Sequence, residues 1–217
     1  MQLIGMLDSP YVRRVAIALH HFDIPFEHSS LSVFRNVKEF QQINPLVKAP
    51  TLVCDDGKVL MDSSLILQYV ERLATTRADS VNQRLMPEAL EDYQQALRLI
   101  GLGLNACDKT VQIVYERDLR PTDKQHQPWR DRIQSQLLSA YRLLESRAAE
   151  TSTWLVQNRF TQADITVAVA WQFTQLIVAD IVDIRGYPGI AALSKRAEAL
   201  PAFTATPLEP NWHPKEP

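Results

Sequence analysis

The sequence predicts an α+β N-terminal domain with element order β-α-β-α-β-β-α, followed by an all-α C-terminal domain. Three observations carry this reading. Short extended runs alternate with helical periodicity only in the first third of the chain. The Asp56-Gly57 step between two short extended runs is a hairpin signal. Beyond about residue 87 every periodic segment has helical spacing. The polar stretch from Thr75 to Arg84 separates the two patterns, so the expected partition is 1–75, a linker over 76–86, and 87–217.

Gln2 to Met6 reads as the first strand. Ser9 at an N-cap and Pro10 at the first helical position open a helix carrying Val12, Val15, Ala16 and Leu19 on one face. Pro25 breaks the chain before a strand over Phe26 to Ser30, and Val37 to Ile43 forms a short amphipathic segment ended by Asn44-Pro45. Thr51 to Cys54 and Lys58 to Leu60 form the hairpin. Asp62 and Ser63 then precede Leu65, Ile66, Tyr69, Val70 and Leu73 at helical spacing.

In the second half, Leu90, Tyr93, Leu97, Ile100, Leu104, Val111 and Val114 predict one long buried helical face. Gly101 and Gly103 within it point to a bend or a close contact. Trp129, Ile133, Leu137, Tyr141 and Leu144 predict a second helix after Pro128, a third starts at Thr161, and a last one runs from Pro188 to Leu200. Pro201 and Pro207 are expected to keep the tail from being helical.

Composition narrows the function. The 217 residues are 46% apolar and 22% charged, which excludes disorder as the default state. Lys plus Arg number 23 against 25 Asp plus Glu, with no long run of either sign, so neither a nucleic-acid nor an anionic-membrane partner is expected. Cys54 and Cys107 are too few for a disulfide framework and lack metal-ligand spacing; both read as packing residues of a reducing, cytoplasmic compartment. Asp8, Arg13 and Arg14 interrupt any signal-peptide pattern, and Gln172, Gln175 and Asp180 make the most apolar stretch too polar for a membrane span. His20, His21, His28, His126 and His213 show no metal grouping, so no metal is expected.

Three signals converge on the loops at one end of the small sheet. Ser9 follows a strand and opens a helix, where free N–H groups and the helix dipole favour an anion such as a thiolate. Its hydroxyl can donate to that sulfur or serve as an ordinary N-cap. Pro50 stands just before a strand. Position alone favours a trans bond there, whereas a cis bond would turn the Ala49 backbone outward to pair with an extended ligand. Asp62 and Ser63 open a helix, where they fit either plain capping or the charged end of an amino acid, Ser63 holding the carboxylate and Asp62 the ammonium.

The runs SPYVRRV at 9–15, NPLVKAPTLV at 44–53, MDSSLILQYV at 61–70 and FTQADITVA at 160–168, in this order, resemble the cytosolic glutathione transferases across essentially the whole chain. The pattern is the serine-type one of the tau, theta and zeta classes and of bacterial relatives. The resemblance implies a thioredoxin-like N-terminal domain, an all-helical C-terminal domain, a homodimer, glutathione as co-substrate and a cis Pro50. It gives Ser9 the role of stabilising the glutathione thiolate, Ala49 that of pairing with the cysteinyl unit, and Asp62 with Ser63 that of binding the γ-glutamyl end. Lys48 resembles the lysine that reaches the glycyl carboxylate, with Lys38 and Arg35 as weaker candidates. Thr161 and Asp164 resemble the family's internal capping box, a structural feature. Leu7, Tyr11, Phe34, Tyr115 and Trp171 are expected to line the electrophile pocket, or alternatively to be ordinary packing residues.

Two departures stand out. Ala49 replaces a larger aliphatic residue, and Asp62 replaces the commoner Glu, so its carboxylate reaches about one methylene less far. The implied chemistry has a magnitude: a thiol near pKa 8.5 is mostly protonated at pH 7, and lowering its pKa by two units requires about 2.7 kcal/mol of anion stabilisation. The thiolate would attack a small electrophile or a peroxide. The alternatives are an isomerase or dehalogenase using the same site, and a non-catalytic interaction or ligand-binding protein of the same fold.

Overall fold

Leu3 and Ile4 are fully buried in β1 (Gln2–Ile4), the strand around which the N-terminal unit is built. In the computed structural model, which describes residues 1–76 and 84–208, β1 is parallel to β2 (Glu27–Ser29) and antiparallel to β3 (Thr51–Val53). β4 (Val59–Met61) pairs antiparallel with β3, giving the order β2-β1-β3-β4. The hairpin forms at the Asp-Gly step: Gly57 has φ +80°, which an L side chain rarely adopts, and Cys54 N–H donates to the Lys58 carbonyl at 2.8 Å.

The register puts one end of the sheet in a single row. Ile4 stands opposite Ser29 on β2 and Thr51 on β3, and Thr51 stands opposite Met61 on β4. The loops leaving β1, β2 and β4 and the loop entering β3 therefore all emerge there.

Three helices complete this part of the chain. α1 (Pro10–His21) starts with Pro10 in its first turn and buries Val12, Val15, Ala16 and Leu19. α2 (Val37–Ile43) is a short segment that buries Phe40. α3 (Ser63–Thr75) buries Ile66 and Val70 and packs against α1. Seven of the expected linker positions, 77–83, lie outside the described residues, as does His213.

Among the described residues the chain divides into two units, Met1–Leu85 with Leu200–Leu208 in the first, and Met86–Ala199 in the second. The last described segment thus joins the first unit rather than the helical one. It is also helical: Pro201 opens α8 (Pro201–Thr204), contrary to the expectation of a non-helical tail. Proline at the first helical position has no N–H to lose and a φ already suited to the helix.

The helical unit contains α4 (Leu90–Val114), α5 (Gln127–Ala149), α6 (Gln162–Val178) and α7 (Pro188–Glu198). α6 is buried along nearly its whole length and packs against α4 and α7. α4 buries only part of the face its spacing predicts: Ile100 and Val114 are buried as expected, but the first two turns of that face are not. Ala96, Leu99, Ile100, Ala106, Cys107, Ile113 and Val114 face inward, while Leu90, Tyr93 and Leu97 are exposed. Gly103 marks a close approach: a Cβ there would lie 3.0 Å from Thr166 on α6. On α5, Ile133, Leu137, Tyr141 and Leu144 are buried as expected, whereas Trp129 is exposed. Cys54 and Cys107 are buried free thiols. Among the described residues no helix is long and apolar enough to cross a membrane.

Candidate active site

Ser9 is the N-cap residue of α1, yet its hydroxyl makes no capping hydrogen bond. Its backbone is held at both ends: its N–H donates to the Met6 carbonyl at 3.2 Å and its carbonyl accepts from Arg13 N–H at 2.9 Å. The side chain is half-buried at the positive end of the helix. Of the two roles open to this hydroxyl, the capping one is not taken.

The Ala49-Pro50 peptide bond is cis. Among the described residues neither the N–H nor the carbonyl of Ala49 makes a hydrogen bond. The loop carrying them is fixed from below by Asn44, 1% exposed, whose amide donates to Thr51 Oγ1 at 2.8 Å. Thr51 Oγ1 in turn donates to the Lys48 carbonyl at 2.7 Å. Lys48 itself is exposed, and its ammonium has no ion-pair partner among the described residues.

Asp62 caps α3, its Oδ1 accepting from Ser64 N–H at 2.9 Å. Its φ of +69° is unusual for a residue with a side chain, and such strain costs on the order of 1–3 kcal/mol. Ser63 is 3% exposed at the first position of the helix, where its backbone N–H has no partner within the helix. Ser63 Oγ accepts from Arg14 Nη1 at 3.2 Å, and Ser64 Oγ accepts from the same atom at 3.3 Å. Arg14 is only 2% exposed, so a buried cation lies behind the start of α3.

Gly5 joins these pieces. At φ +132° it ends β1 so tightly that a Cβ would lie 2.6 Å from Val12 Cγ2 and 3.1 Å from Ala49 Cβ. The loop of Ser9 and the loop of Ala49 are therefore in direct proximity. Arg35, in the loop after β2, reaches the same region and donates from Nη2 to Met6 Sδ at 3.4 Å. Lys38, also exposed, makes no such contact with the β1 loop. Leu7 is buried, Tyr11 is half-buried and Phe34 is exposed. In the helical unit Tyr115 is exposed at the start of a π-helical turn, Tyr115–Leu119, and partial burial pushes its phenol up. Trp171 is 2% exposed, with its ring 5.4 Å from Tyr141 and 5.8 Å from Tyr187, a packing position in the core.

Two domain models match the chain: glutathione S-transferase, N-terminal domain, over residues 3–78, and glutathione S-transferase, C-terminal domain, over residues 127–196. The chain belongs to the glutathione S-transferase family. Its fold is similar to that of a glutathione S-transferase from Methylobacterium radiotolerans in complex with glutathione sulfonate. The TM-score is 0.85 at 28% identity, over 94% of this chain and 93% of that one. A glutathione transferase family member from Pseudomonas fluorescens with bound glutathione matches with TM-score 0.80 at 29% identity, over 94% and 97%. In sequence, glutathione S-transferase U3 of Arabidopsis thaliana is 31% identical over 129 residues, 54% of each chain. The chain spans about a third to a half of the length of the curated relatives it matches.

Three features of this candidate site have no role that the motifs alone assign. Gly5 and Arg14 act through contacts distant in sequence, with Ala49 and Ser63, whereas Asn44 and Thr51 bond across seven positions within one loop. Only Gly5 has a local clue, a glycine at the end of a strand, which marks close backbone approach. Among the described residues no group of three or more His, Cys, Asp or Glu could hold a metal ion.

Proposed function

We propose that the chain is an enzyme that binds glutathione in its N-terminal unit and activates the thiol for attack on a small electrophile or a peroxide. The observation that carries this reading is the Ser9 hydroxyl. It stands at the N-terminus of α1 with no capping bond to make, at the sheet end where the unpaired Ala49 backbone and the Arg14-backed Ser63 also lie. A hydroxyl donor and a helix N-terminus both favour a thiolate, and together can supply about 2–3 kcal/mol of anion stabilisation.

Each end of the tripeptide has a chemical match in the proposal. Ser63 and the first N–H groups of α3 take the γ-glutamyl carboxylate, and the Asp62 oxygen not used in capping takes the ammonium. The Ala49 N–H and carbonyl pair with the cysteinyl backbone as a sheet edge would. Lys48 and Arg35 take the glycyl carboxylate. Tyr11 and Phe34 border the second substrate. In conjugation the thiolate sulfur forms a bond to an electrophilic carbon, and the leaving group departs with the bonding pair.

The test is calorimetric titration with glutathione of the unmodified chain and of Ser63→Ala and Asp62→Ala. Saturable binding that weakens by about tenfold or more in both variants is expected, equivalent to about 1.4 kcal/mol. No binding at millimolar glutathione would turn the reading to a non-catalytic interaction protein. A homodimer in the cytoplasm completes the proposal. Leu65 and Tyr69 on α3, and Leu90, Tyr93 and Leu97 on α4, are exposed apolar residues at helical spacing, suited to a second copy of the chain. Light scattering that gives a monomer mass at every concentration would refute it.

A further inference from the structure

The residues from Leu200 to Leu208 belong to the unit that carries Ser9, although the chain reaches them only after traversing the helical unit. A four-residue helix such as α8 has little stability of its own, so its place must be fixed by tertiary contacts. Arg13 supplies two of them. It is 1% exposed on α1, its Nε donates to the Thr206 carbonyl at 2.8 Å, and its guanidinium lies 5.7 Å from the centroid of the Phe203 ring. Phe203 is fully buried and Thr206 is 2% exposed. Thr206 Oγ1 turns back to the Ala202 and Phe203 carbonyls, so the segment forms a compact knob on α1.

Arg13 is also part of the first turn of α1. Its backbone N–H donates to the Ser9 carbonyl at 2.9 Å. One residue therefore grips the C-terminal segment with its side chain and the Ser9 backbone with its amide. An α-helix frays from its ends, and its first turn is the least protected part unless something holds it.

We propose that Arg13 is a positioning residue for the Ser9 site: by docking the 200–208 segment against α1, it holds the first helical turn, and with it the Ser9 hydroxyl, in place. The geometry stands on its own, while the consequence for thiol chemistry rests on the glutathione reading above. Because the Arg13 grip depends on Nε directed at one carbonyl and on a planar group stacked over Phe203, a lysine keeps the charge but not the grip.

The experiment compares the unmodified chain with Arg13→Lys, Arg13→Met and Phe203→Leu. Hydrogen exchange is read at the amides of the first turn of α1, with the first turn of α3 as internal reference. About tenfold or more faster exchange at the α1 amides than at those of α3 is expected in all three variants. On bound glutathione, the ultraviolet thiolate band is expected to titrate about half a unit to one unit higher, and kcat at pH 7 to fall about three- to tenfold at nearly unchanged glutathione KM. A uniform loss of protection throughout the unit, with an unshifted thiol titration, would reduce Arg13 to a stability residue and overturn the proposal. Full rescue by lysine would overturn it as well, because charge rather than docking would then be the cause. If the unmodified chain binds no glutathione, the functional reading fails, and the exchange measurement still decides the role of Arg13.

Discussion

Arg14 Nη1 donates to Ser63 Oγ at 3.2 Å, tying the second turn of α1 to the first turn of α3 through a buried contact. Guanidinium has only donors, so it occupies an oxygen lone pair and leaves the Ser63 proton to be donated elsewhere. At the start of α3 that proton is available to a ligand carboxylate, with a buried positive charge behind it. Replacing Arg14 by methionine keeps most of the volume and removes both effects. Glutathione affinity is expected to fall about ten- to hundredfold, matching the roughly 1.5–3 kcal/mol of a charge-assisted hydrogen bond. The check is titration with glutathione and with cysteinylglycine, which lacks the γ-glutamyl group. An equal loss for both ligands would mean that Arg14 acts on the whole unit rather than on the carboxylate subsite.

Ser9 permits a separation of stability from chemistry. An N-cap serine that accepts a hydrogen bond from the helix costs about 0.5–2 kcal/mol when replaced by alanine. Here no such bond exists, so Ser9→Ala is expected to change stability by less than about 0.5 kcal/mol. Turnover at pH 7 should nevertheless fall about ten- to hundredfold, with part of it recovered at pH 9 as the bound thiol ionises without help. Denaturation midpoints and a pH–rate profile, measured on the same preparations, decide it. Unchanged turnover at pH 7 would remove Ser9 from the chemistry.

What the sequence made legible was local. Ser9-Pro10, the Asp56-Gly57 turn and the Asp62-Ser63 helix start each combine backbone preference and side-chain chemistry within a few residues, and each sits where its pattern puts it. The contacts that unite them are not local. Arg14 meets Ser63 across 49 positions and Arg13 meets Thr206 across 193, and no periodicity encodes either. Leu90, Tyr93 and Leu97 show another limit, because apolar spacing identifies a helix face without saying whether the protein's own core covers it. Pro201 shows a third, since a proline that ends one helix can begin the next.

Gly5 is predicted to be intolerant of any side chain. Its φ of +132° lies in a region L residues rarely adopt, and the added carbon of Gly5→Ala would lie 2.6 Å from Val12 Cγ2. The backbone cannot simply shift. Gly5 N–H donates to the Ser29 carbonyl at 3.0 Å and its carbonyl pairs with His28 Nε2 at 2.7 Å. Strain and overpacking together suggest a loss of about 2–4 kcal/mol, read from urea denaturation. A loss below about 0.5 kcal/mol would show that the loops of Ser9 and Ala49 are less tightly coupled than their geometry implies.

Asp164 predicts a pH dependence in the helical unit. Fully buried, its Oδ1 accepts from Leu155 N–H at 2.8 Å, and its Oδ2 accepts from Thr161 N–H and Thr161 Oγ1, both at 2.8 Å. Burial raises the carboxyl to about 6 despite these hydrogen bonds, against 3.8 for an unperturbed aspartate. Between those values the folded state binds more protons than the unfolded one, so this group's stabilising contribution is full below pH 3.8 and is lost as pH rises through 6. Going from pH 5 to pH 8 should remove about 1 kcal/mol. Asp164→Asn lacks that titration and also loses an acceptor, so it should be less stable throughout, with a deficit that is larger at pH 5 than at pH 8. Urea denaturation of both proteins at the two pH values measures the difference. A deficit that is the same at the two pH values would mean that the three hydrogen bonds offset burial and keep the folded carboxyl at or below its unperturbed value.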